Sequence, residues 1–155
     1  MSKVEQHVQG WLRHRSVLLD LLGMVDEEYV SFKPTETSMP LNKLAVHIAT
    51  SGDMFVQAVK NGAFTRPDAP EVPETMAEVR ALVQSITDRN KEEMSAFTED
   101  TLNGLVSAKE VFGFDAPGSA FLSSMLEHEV HHKGQLFVYV RMTGKTELPF
   151  FVKMK

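Results

Sequence analysis

The sequence has no cysteine among its 155 residues, which removes a cysteine nucleophile, a thiolate zinc site and a redox-active pair from consideration. Any thiol chemistry must bring its thiol with the substrate. Long apolar runs are missing as well: no stretch approaches the roughly 20 residues needed to span a bilayer. Positive charge is outnumbered, 16 Lys and Arg against 21 Asp and Glu, for a formal net charge of −5. Without a clustered basic tract, phosphate-backbone binding is not expected to be the main task, so nucleic acid is not an expected partner. The opening residues MSKVEQHVQGWLRHRS carry neither the apolar block nor the small-residue cleavage site of a secretory leader. A cytoplasmic location without membrane association is the expectation, and the missing cysteines agree with it.

What is present is an ordinary globular composition, 43% hydrophobic and 24% charged. A chain of this length buries a core without disulfides or a structural metal, so one domain over residues 1–155 is expected and any metal is optional for folding. No internal repeat or low-complexity segment interrupts it.

Four helical patterns follow from apolar residues recurring at three- and four-residue steps. The first runs from about Lys3 to Leu22, with Ser2 as cap and a stripe that includes Val8, Trp11, Leu18 and Leu22. His7 and His14 fall beside this stripe and read as solvated edge residues. A second runs from about Leu41 to Lys60 and stops before Asn61-Gly62; Leu44, Ile48, Phe55 and Val59 form its apolar face, and His47 and Ser51 share that face. After the proline-rich RPDAPEVPE, a third begins near Thr75, where Thr75 and Glu78 have the spacing of a capping box. Residues 99–118 hold two stops, Asn103-Gly104 and Pro117-Gly118, and read as a long connection with a short extended piece. A fourth helix spans about Ser119 to Met142, with Gly144 as its stop.

At about 100° per residue, His128 and His132 share the inward stripe of the fourth helix with Phe121, Met125, Gln135, Leu136 and Tyr139, while His131 leans toward its border. Leu126, Val130, Phe137 and Val140 form a second apolar stripe nearly opposite. A helix apolar on two sides is either central in its domain or half of a subunit interface, and a homodimer through this stripe is the expectation.

His128-Glu129-Val130-His131-His132 fits the H-E-x-x-H pattern of zinc peptidases, in which two ligands lie one turn apart and a glutamate polarises water. The longer pattern H-E-x-x-H-x-x-G-x-x-H fails, because Gln135 and Val138 stand where glycine and histidine belong, and only Glu147 remains beyond the helix as a carboxylate ligand. Peptide hydrolysis is therefore the third reading.

A single inward histidine usually means a hydrogen-bonded core residue. Three of them, His47, His128 and His132, on two helices of one bundle have a simpler common explanation, a shared divalent ion. Nitrogen ligands suit zinc, nickel or ferrous iron, and three neutral ligands leave a position open for water or substrate. Glu129 has two readings, a general base beside the ligand turn or an exposed helix glutamate. Gln135 and Tyr139, one and two turns past the ligands, together with Ser51, either orient a ligand's proton and touch substrate or simply pack.

His128-x-x-His131-His132-Lys133-Gly134-Gln135-Leu136, followed by Tyr139-x-Arg141-x-x-Gly144 and preceded by Leu44-Ala45-x-His47-Ile48, resembles the DinB-like (damage-inducible, YfiT-like) metalloenzymes, which are distinct from the DNA polymerase sharing the DinB name. The resemblance covers nearly the whole chain in helix order and length. It implies an all-α four-helix bundle with a long crossover connection, frequent homodimers, and a metal held by His47, His128 and His132 but not by His131. Glu129 is not part of the family's pattern. Relatives transfer or conjugate low-molecular-weight thiols, or act as isomerases or hydrolases, so the resemblance implies the site more closely than the substrate. The leading expectation is a metal-dependent enzyme, of thiol S-transferase or hydrolase type, activating a thiol or water toward a small-molecule substrate. A non-catalytic, metal-binding homodimeric stress protein is the alternative.

Overall fold

A computed structural model of the chain describes residues 1–154. Four long helices dominate it: α1 (Lys3–Gly23), α2 (Leu41–Asn61), α3 (Met76–Ser95) and α6 (Gly118–Met142). The connection before α6 holds two short helices, α4 (Glu99–Asn103) and α5 (Lys109–Phe112), and two strands, β1 (Leu105–Val106) and β2 (Ala116–Pro117), paired antiparallel. The extended piece expected in this region is therefore a two-residue hairpin rung flanked by helical turns.

Local chemistry explains the helix starts. Ser2 and Glu5 cap α1 reciprocally, the hydroxyl accepting from the Glu5 N–H at 3.1 Å and the carboxylate from the Ser2 N–H at 2.6 Å. Thr75 accepts from the Glu78 N–H, and the Glu27 carboxylate reaches across from the preceding loop to accept from the Met76 N–H at 2.9 Å. Two helix-start donors of α3 are thus satisfied, one locally and one by tertiary structure. At the start of α6, Gly118 is required by contact: a Cβ there would lie 2.6 Å from the Thr101 carbonyl oxygen and 3.0 Å from Val59 Cγ1.

The helices pack in the cyclic order α1, α3, α2, α6, which leaves α1 diagonal to α2 and α3 diagonal to α6. The all-α four-helix bundle is as expected, with residues 24–40 and 96–117 each crossing a diagonal of the bundle. The core has two apolar layers. One gathers Leu18, Leu22, Leu44, Ile48, Val83 and Leu136, the other Trp11, Phe55, Val59, Met94, Phe121 and Met125.

Between these layers the interior is polar. Arg15 of α1 and Glu129 of α6 pair at 2.6 Å, with side chains 0% and 2% exposed. Arg15 Nε donates to the second carboxylate oxygen at 2.7 Å, Trp11 Nε1 donates at 3.1 Å, and Arg15 Nη1 donates to Thr87 of α3 at 2.9 Å. Adjacent residues on a helix point about 100° apart, so His128 and His132 face α2 while Glu129 between them faces α1. No helix among the described residues is long and apolar enough to cross a membrane.

Candidate metal centre

On the α2/α6 seam, level with the polar layer, three imidazoles converge. The His47 ring centroid lies 5.0 Å from that of His128 and 4.8 Å from that of His132, and the last two are 4.5 Å apart. One ring nitrogen from each lies within 4.8 Å of the others, and among the described residues no Asp, Glu or further His joins the group. In a tetrahedral set with bonds of about 2.0–2.1 Å, ligand nitrogens stand about 3.3 Å apart, so rotation of half-buried side chains closes the remaining gap. The donor set fits a divalent ion with positions left open to solvent and substrate.

The electrostatics favour the form that ligates. Burial, reinforced by His132, His47 and His131, pushes the His128 imidazole down to about 4. Burial also lowers that of His47, with His132 and Lys43 adding to the effect. Both rings are thereby neutral at pH 7, with a lone pair free for a cation. Gln135 Oε1 accepts from His132 Nδ1 at 2.7 Å, which places the proton on Nδ1 and leaves the Nε2 lone pair available to a cation. Ser51 Oγ stands 3.4 Å from His47 Nδ1.

Several sequence expectations are corrected. Glu129 is neither an exposed helix residue nor a base at this site: it is 1% exposed, and both oxygens are engaged by Arg15 and Trp11. The peptidase reading thereby loses its base. Phe137 and Val140 do not belong to an outward stripe, since both are buried in the chain's own core. The C-terminal half of α6 buries Leu136, Phe137, Tyr139 and Val140 and leaves Val138 and Met142 exposed, and burial stabilises each covered side chain by about 1.5–3 kcal/mol. Leu126 is half-buried, and of the four stripe residues Val130 alone is well exposed. Tyr139 packs in the core and donates its hydroxyl to the Met39 carbonyl at 2.9 Å, which makes it an anchor for the 24–40 connection. His14 is not a solvated edge residue either, because its Nδ1 accepts from the buried Lys133 Nζ at 2.7 Å. His131 is exposed and stays outside the cluster, its ring centroid 4.8 Å from that of His132.

Two hollows flank the histidines. One, of about 440 Å³, is lined by His47 and further residues of α2 and, beyond that helix, by Ala63, Thr65, Pro67, Asp68, Ala69 and Pro70. The other, of about 430 Å³, lies between His132, Gln135 and Tyr139 on α6 and Thr37–Met39. Sequence reasoning missed residues lining these hollows, notably Asp53, Gln57 and Ser38, because the hollows form only where segments distant in sequence come together, and no spacing rule shows which polar side chains line them. Arg15 had a legible signal, a charge four residues after Trp11 and three before Leu18 on the buried stripe.

This fold and site define a class: four-helix bundles that present an open three-histidine group on one helix seam. The DinB family model matches residues 1–154, and the chain belongs to the DinB family. It is 36% identical over 151 residues to YjoA of Bacillus subtilis (strain 168), itself uncharacterized, and the match spans 97% of each chain. The crystal structure of that DinB-like protein superposes with a TM-score of 0.84 over 96% of this chain and 99% of its own, at 33% identity. A DinB-like protein from Bacillus cereus ATCC 10987 has the same fold, with a TM-score of 0.79, 23% identity, and coverage of 94% of this chain and 95% of its own.

Proposed function

We propose that the chain is a metal-dependent transferase in which His47, His128 and His132 hold a divalent ion of the zinc, nickel or iron type that activates a low-molecular-weight thiol. The observation carrying this reading is the convergence of three imidazoles, with no fourth ligand among the described residues, between two hollows. Bound there, the ion supplies Lewis acidity that lowers the pKa of a thiol or water at neutral pH. The chain's own residues do the rest. Gln135 fixes the His132 tautomer, the two helices hold the ligands in place, and the paired hollows on either side of the cluster have room for two reactants. In the transfer the thiol gives its proton to solvent, its sulfur bonds to the electrophilic carbon, and the carbon's bond to the leaving group breaks with the electron pair departing on that group. Two separate hollows favour such a two-substrate reaction over hydrolysis, where water needs no pocket of its own.

The test combines elemental analysis of protein purified without a histidine tag with a screen of thiols and electrophiles, with and without added metal. The expected result is about one ion per chain, and turnover lost in His47→Ala. Metal-independent turnover, or turnover that His47→Ala leaves intact, overturns the reading. A metal-binding protein without turnover is the second reading, favoured by the exposed apolar side chains Val130, Val138 and Met142 at four- and eight-residue steps along α6, a face suited to pairing with a second copy.

A further inference from the structure

The hollow beside His47 has a chemical bias. Its lining includes the carboxylates of Asp53 and Asp68 and the neutral polar groups of Thr50, Gln57 and Asn61, and no lysine or arginine lines it. Asp53 belongs to α2 and Asp68 to the connection between α2 and α3. On Asp53, Oδ1 takes the hydrogen bonds from Asn90 at 2.8 Å and Gln57 at 3.2 Å, and the ion pair with Arg89 at 2.8 Å. Its Oδ2 accepts none from the described residues and is not a buried atom. Burial raises the Asp53 pKa, but the bonds from Asn90, Arg89 and Gln57 outweigh this and bring it below the usual range, so the group is ionised at pH 7. Arg89 offsets part of that charge from outside the cavity, where its side chain is 51% exposed.

The lining also includes Pro67 and Pro70, whose rings fix φ at those two positions. Asp53 lies six residues along α2 from His47, an axial rise of about 9 Å. A bound molecule that reaches both must therefore be elongated and bear different groups at its two ends.

We infer that this hollow is an amine-recognising subsite: a substrate that meets the histidine cluster through its thiol presents a protonated amine to Asp53 Oδ2, with Asp68 in the same lining, and anionic tails are disfavoured. The inference rests on the proposed thiol chemistry for the end that meets the metal, and adds the class of molecule that carries the thiol. An ammonium donating to Oδ2 gains a charge-assisted hydrogen bond. A carboxylate in the same place meets two like charges and no compensating cation in the lining.

The test uses cobalt(II)-loaded protein and three thiols of equal chain length, ω-aminohexanethiol, ω-hydroxyhexanethiol and ω-mercaptohexanoate. Calorimetry gives the affinities, and the sulfur-to-cobalt charge-transfer band reports separately whether the thiol reaches the metal. The amine is expected to bind about five- to tenfold more tightly than the alcohol, and the carboxylate more weakly than both. Asp53→Asn should bring the amine-to-alcohol ratio to about one. Asp68→Asn, in an exposed loop, should lower the same ratio by about twofold and carries the test if Asp53→Asn does not fold. Equal affinities for the three thiols, or an amine preference that survives both substitutions, overturn the subsite. If the band is absent while the preference and its dependence on Asp53 remain, the thiol–metal reading falls and the subsite stands.

Discussion

Replacing Glu129 with glutamine separates two accounts of this residue that make opposite demands. As a peptidase-type base it would be catalytic and structurally dispensable, so Glu129→Gln would abolish turnover and leave stability unchanged. In its observed setting it accepts from Arg15 Nε at 2.7 Å, Arg15 Nη2 at 2.6 Å and Trp11 Nε1 at 3.1 Å, with almost no solvent access. Glutamine keeps the shape but removes the charge and turns one acceptor into a donor facing another donor. Breaking one side of a buried pair costs about 3–5 kcal/mol, because the remaining guanidinium is left uncompensated. Total stability for a domain is about 5–15 kcal/mol, so the loss is a large fraction of it. At about 2–4 °C per kcal/mol for a chain of this size, the melting temperature should fall by about 6–20 °C. Urea unfolding followed by circular dichroism measures the change, with the metal-free protein used throughout so that ligand binding does not contribute. The double variant Glu129→Leu/Arg15→Met, which removes both charges, should recover most of the loss. A Glu129→Gln protein of unchanged stability that has lost metal-dependent turnover would refute this reasoning and restore the base.

Three further outcomes are expected. Metal-free protein should lose stability as pH falls from about 6.5 toward 4: His128 titrates at about 4 when folded and near 6.5 when unfolded, so the unfolded chain binds more protons in that window. His47 shifts in the same direction, and His128→Gln should flatten the pH dependence measured by urea titrations across the range. Gln135→Ala should weaken metal binding by about 10–100-fold, read by competition with a chelator, since it frees the His132 tautomer. Val130→Glu should shift a dimer toward monomer in sedimentation velocity, whereas Phe137→Glu should unfold the chain because that side chain is in the core; an unchanged dimer in Val130→Glu would place the interface elsewhere.

Local periodicity in the sequence determined the four long helices, their caps at Ser2 and Thr75, and the placement of His47, His128 and His132 on inward faces, because each of these depends on neighbours within one or two turns. The resemblance to the DinB-like family implied the same three histidines as ligands and left His131 out. Tertiary structure decided what those faces meet. The partners of Glu129 are 114 and 118 residues away, and the partner of Tyr139 is 100 residues away, so no spacing rule reaches them. The same long-range packing buried Phe137 and Val140 inside the bundle, and brought Asp53 and Asp68 into the lining of one cavity. A helix pattern states which residues share a side; only the packing of four helices around a polar middle layer states whether that side is core, surface or site.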